Sequence, residues 1–76
     1  MPKLPVVSGR ETVRALERGG FVMARQEGSH HTLKHVQRRR RTTVTVHGSQ
    51  DLPIGTLRAI LRQAGLTVEE FIALLD

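Results

Sequence analysis

A chain of 76 residues and 8.5 kDa makes one domain at most, and a domain this small buries only about 60% of its unfolded surface. It has no cysteine, so disulfides, thiolate metal sites and thiol catalysis are excluded, and its 38% hydrophobic and 25% charged residues are those of a folded chain. The net charge of +5 lies wholly between Gly28 and Gln50, where Lys34, Arg38, Arg39, Arg40 and Arg41 meet no acid, and such a basic stripe is the footprint of a polyanion binder, most often of nucleic acid.

Met1 to Val7 carries two prolines and no period, and reads as an extended arm ahead of a single domain spanning residues 8–76. Ser8-Gly9-Arg10-Glu11 is a capping box that predicts a helix from Gly9 to Arg18, with Val13, Ala15 and Leu16 inward. Gly19-Gly20 supplies a left-handed stop. From Phe21 the period changes to two. Phe21 to Gln26 is a first strand with Phe21 and Met23 on the core face, and Glu27-Gly28-Ser29 is turn chemistry. His31 to His35 is a second strand whose inward apolar residue is Leu33. Thr42 to Val46 is a third, with Val44 and Val46 inward and Thr43 and Thr45 outward. The connector from Val36 to Arg41 has no Gly, Pro, Asn or Asp, so nothing in it specifies a turn. His47 to Asp51 is loop. A helix starting near Pro53 to Thr56 runs to Ala64 with Leu57, Ile60, Leu61 and Ala64 on one face, and Gly65 closes it. Thr67-Val-Glu-Glu70 is a second capping box, opening a short helix with Val68, Phe71, Ile72 and Leu75 inward. The order α-β-β-β-α-α predicts an α+β domain: a three-stranded antiparallel sheet with helices on one face and the other face open.

Strand parity then sorts the four histidines. With Leu33 inward, His31 and His35 share the core side, while His30, Thr32 and Lys34 face the open side. His47 continues the outward parity of Thr43 and Thr45. His30 follows a Gly-Ser turn at the start of a strand, where an imidazole can meet a substrate and act as a base near neutral pH. The plainer reading of each histidine is an edge residue bonded to backbone. Four histidines within 18 residues raise the question of a metal, yet they have no cysteine partner, Glu27 and Asp51 are the only nearby acids, and the spacing fits no common zinc pattern. No metal and no cofactor are expected. Ser29 precedes His30, but adjacent strand residues point to opposite faces, so it shapes the turn or donates to a phosphate rather than acting as a nucleophile. The Arg38–Arg41 run reads either as a solvated tip or as a clamp on phosphates. The only aromatics, Phe21 and Phe71, look like core, so base stacking of the usual kind is not expected.

Taken in order, Gly20-Phe21, Arg25-Gln-Glu-Gly-Ser-His30, a basic hairpin, Val44-Thr-Val-His-Gly48 and Gly55-Thr-Leu-Arg-Ala-Ile-Leu-Arg-Gln-Ala-Gly-Leu66 resemble the HicA toxins of HicA–HicB toxin–antitoxin systems. The resemblance runs from about Ser8 to Leu75. It departs in the connector, where relatives often carry a Pro-Asp-Gly-like turn and this chain has Gln37 and four arginines. It implies a double-stranded-RNA-binding-domain-like fold and an mRNA endonuclease. It also implies a HicB-like antitoxin covering the active site. The family's catalytic histidine, in its Gly-Ser-His motif, falls on His30. His31, His47 and Ser29 are candidate auxiliaries, and Arg25, Lys34, Arg38, Arg39, Arg40 and Arg41 are the expected RNA contacts. The chemistry expected is metal-independent removal of a ribose 2′-hydroxyl proton by His30 and attack on the adjacent phosphate. The alternative is a non-catalytic RNA- or DNA-binding module, for which the basic stripe and the fold would suffice. No apolar run approaches the ~20 residues of a membrane span and no signal-peptide core is evident, so a cytoplasmic protein with no membrane partner is expected.

Overall fold

Two reciprocal hydrogen bonds start the first helix. The Ser8 hydroxyl accepts from the Glu11 amide at 3.1 Å, and the Ser8 amide donates to Glu11 Oε1 at 2.9 Å, which satisfies two amides that a helix start leaves orphaned. The computed structural model describes residues 3–75, so the first two residues of the expected arm lie outside the described residues. The elements are α1 (Gly9–Arg18), β1 (Phe21–Glu27), β2 (His30–His35), β3 (Arg41–Thr45), α2 (Ile54–Ala64) and α3 (Val68–Leu74). This is the expected α+β order, with an antiparallel sheet in the order β1-β2-β3.

One face of the sheet is covered. Phe21, Leu33, Thr42 and Val44 point beneath it into a core shared with Leu16 of α1, Leu57, Ile60 and Leu61 of α2, and Phe71 of α3. Full burial of side chains of this size contributes about 1.5–3 kcal/mol each. Thr42 is buried among them and stays satisfied by donating to Gln63 Oε1 at 2.8 Å, which ties β3 to α2. α1 ends at Gly19, but the left-handed residue is Gly20, while α2 ends in a left-handed Gly65. α3 opens with the second capping box, built by Thr67 and Glu70. Ahead of α1, Val7 is buried and its carbonyl accepts from the Leu52 amide at 2.8 Å.

Two inward assignments are corrected. Met23 is 37% exposed, because β1 is an edge strand that the helices cover only at its Phe21 end, and a bulge at Ala24 ends its regular alternation. Ile72 is likewise 37% exposed, leaving Phe71 as the one buried residue of α3. A helix of seven residues has room for a narrow buried stripe only.

The connector after β2 takes its shape from a residue inside the strand. The His35 ring accepts at Nδ1 from the amides of Gln37 and Arg38, both at 3.0 Å, so its proton is on Nε2, which lies 3.1 Å from the Gly19 carbonyl. Its ring also meets Phe21 edge-on at 5.0 Å. The imidazole thus does for this turn what an Asn or Asp side chain does in an Asx turn.

Candidate active site

The uncovered face of the sheet is ordered by register. Across β1, β2 and β3, Glu27, His30 and Thr45 form one row, Arg25, Thr32 and Thr43 the next, and Val22, Lys34 and Arg41 a third. His30 is exposed, as the parity of β2 requires. It stands directly after the two-residue turn Gly28–Ser29, whose first residue adopts φ 56°, the geometry of hairpin turns that begin with Gly. That tight turn fixes the pairing of Glu27 with His30 and so sets which face His30 occupies.

Arg25 reaches this face only because of the bulge. Simple alternation from Phe21 would put Arg25 with Met23 on the helix side. The extra residue at Ala24 shifts the pairing so that Arg25 opposes Thr32 and turns outward. There its Nε lies 2.8 Å from Glu27 Oε1, in a pair so exposed that it contributes at most about 1 kcal/mol to stability. Glu27 is itself the cross-strand neighbour of His30, a position that composition and spacing had not singled out.

Lys34 and Arg41 share the far row. Four residues at about 3.3 Å each separate Lys34 from His30 by about 13 Å. The rest of the arginine run diverges. Arg40 lays its guanidinium against Gly65 at the end of α2, and Arg38 lies close enough to Glu70 of α3 to lower its carboxyl pKa. That lowering comes first from the Thr67 backbone and hydroxyl hydrogen bonds, with Arg38 a lesser cause.

The three candidate auxiliaries separate as well. His31 lies half-buried on the core side, opposite Gln26 and Val44, with its Nδ1 buried and, among the described residues, without a hydrogen-bond partner. Ser29 sits in the turn, where its carbonyl accepts from the Val46 amide at 2.8 Å. His47 alone is exposed: it lies two residues beyond Thr45, the cross-strand neighbour of His30, and lines a pocket of about 200 Å³ with Thr45, Gln50, Asp51 and Leu52. Among the described residues, no three His, Cys, Asp or Glu side chains converge as a metal site would need.

The bare face of this small basic α+β domain thus carries an exposed histidine beside a line of cations. The chain matches the family profile of the HicA toxin of bacterial toxin–antitoxin systems over residues 9–66. It therefore belongs to the HicA family of toxins, and membership implies a cognate antitoxin as partner. No curated protein matches the chain. No helix among the described residues is long and apolar enough to cross a membrane.

Proposed function

We propose that this toxin is a metal-independent endoribonuclease of mRNA, with His30 as the general base. What supports this reading is the position of His30: exposed, at the head of β2 on the open face, and one row from Arg25. The imidazole removes the proton of a ribose 2′-hydroxyl, and the 2′-oxygen attacks the adjacent phosphorus. The bond from phosphorus to the 5′-oxygen breaks, and that oxygen takes up a proton. The products are a 2′,3′-cyclic phosphate and a 5′-hydroxyl. Arg25, released from Glu27, stabilises the charge on the phosphorane, while Lys34 and Arg41 hold the strand. His47 is the candidate donor to the leaving oxygen, since it is exposed two residues beyond Thr45, the cross-strand neighbour of His30. A cytoplasmic antitoxin of the HicB type, covering this face, would silence it.

The test is product analysis on a short RNA. Wild-type protein should yield 2′,3′-cyclic phosphate ends, and His30→Ala should lose about 10²–10⁴ of the rate while melting at the same temperature. RNA binding without cleavage by the wild-type protein would make it a binding module. Full cleavage by His30→Ala would remove His30 as the base.

A further inference from the structure

The pocket next to His30 has His47, the candidate acid, at its rim, but the rest of its lining takes no part in the acid–base steps and is unlike the rest of the face. Thr45, the cross-strand neighbour of His30, forms one wall. His47 and Gln50 stand at the two ends of a tight turn closed by a 2.9 Å bond from the Gln50 amide to the His47 carbonyl. Leu52 and Pro53 supply apolar surface, and Asp51 brings the one carboxylate. Resting on the ribonuclease reading of the site above, we propose that this pocket is a nucleobase subsite that selects the nucleotide flanking the cleaved bond.

Size, charge and hydrogen-bonding capacity support a base as the occupant. At about 200 Å³ the pocket is smaller than the 300–1,000 Å³ of drug-sized sites, so it takes one planar ring system rather than a stretch of chain. The Asp51 carboxylate repels a phosphate but accepts hydrogen bonds from base N–H groups. Among the described residues, the side chains of Gln50 and Asp51 make no hydrogen bond, so each keeps its full capacity for a ligand. The apolar floor packs the ring without an aromatic partner, which suits a chain whose two aromatics are both buried. Guanine presents an imino and an amino donor side by side to a carboxylate, and cytosine and adenine present an amino group. Uracil presents one imino N–H between two carbonyls, which the carboxylate repels. The pocket therefore discriminates against uridine, by about tenfold for one misplaced polar contact.

The experiment has two arms on the full chain. In the first, isotopically labelled wild-type protein is titrated with the four nucleoside 3′- and 5′-monophosphates, with ribose 5-phosphate as the baseless control. Amide shifts confined to residues 45–56, strong for guanosine, cytidine or adenosine and about tenfold weaker for uridine, are expected. No shifts there, or equal shifts with ribose 5-phosphate, would overturn the subsite. In the second arm, cut positions in a random-sequence RNA are mapped for wild type and Asp51→Asn. This exchange turns one acceptor into a donor at an exposed side chain and leaves the Ser8–Asp51 backbone bridge untouched. Uridine should be depleted beside wild-type cuts and regained with Asp51→Asn. Cleavage that ignores the neighbouring base and Asp51→Asn overturns the subsite and leaves the catalytic reading standing. Base-dependent shifts without any cleavage do the reverse.

Discussion

At the scale of single residues, His30 and His31 differ by one position and by everything that matters chemically. One faces solvent at the head of a row containing Glu27 and Thr45, and the other is half-buried with an Nδ1 unpartnered among the described residues. A buried polar atom without a partner costs about 1–3 kcal/mol, whereas an apolar group of similar shape carries no such cost. His31→Leu should therefore melt at or above the wild-type temperature, and His31→Ala should melt lower, because truncation leaves a gap beside Val44. Thermal melts of the two variants decide it, and a destabilised leucine variant would mean that His31 has a partner in solution. Both should retain cleavage, in contrast to His30→Ala. Residue identity and strand parity were enough to separate the two histidines. The turn fixes parity because a slip of one residue would send Leu33 to solvent.

At the scale of elements, the basic connector and the open strands divide the cationic work. Lys34 and Arg41 lie paired on the bare face, while Arg40 packs on Gly65 and Arg38 lies near Glu70. Replacing Lys34 and Arg41 with alanine should flatten the plot of log affinity against log salt by about 0.7 for each lost contact to single-stranded RNA. Arg38→Ala and Arg40→Ala should each change the slope less, and equal slopes for all four would show the whole run clamping phosphate. The second capping box carries a pH dependence of its own. Glu70 is held below the ordinary glutamate value by its bonds to Thr67, so its ionised form is favoured in the folded state. Its stabilising effect is complete above the ordinary glutamate value and is lost as pH falls through the lower folded one. The melting temperature should fall in acid more steeply for wild type than for Glu70→Ala, and parallel curves would show that the capping carboxylate has no part. The box itself was legible as Thr-x-x-Glu, because both partners lie within one turn of chain. The connector was not, since its organiser, His35, is not a residue type that turn chemistry singles out, although the Gln37 and Arg38 amides it accepts from lie only two and three residues further on.

At the scale of the whole molecule, no three candidate metal ligands converge among the described residues. Cleavage should accordingly persist undiminished in EDTA; loss on chelation with recovery on adding zinc or magnesium would replace the general-base mechanism with a metal-assisted one. The order of elements, both capping boxes, most of the core and the outward face of His30 followed from the chain alone, because helix and strand periods and caps are local and a 76-residue chain has few ways to bury them. Three things were decided only by tertiary packing. The bulge at Ala24 turns Arg25 to the open face, and no residue in β1 announces it. The arginine run splits between helix layer and sheet, because where each guanidinium lands depends on α2 and α3, far away in sequence. The pocket that joins Thr45 to Asp51 exists because Asp51 pairs with Ser8 and Leu52 with Val7, closing the loop over the end of β3. A local pattern fixes which face a residue takes; the partners waiting on that face are set by contacts between segments that the pattern cannot see.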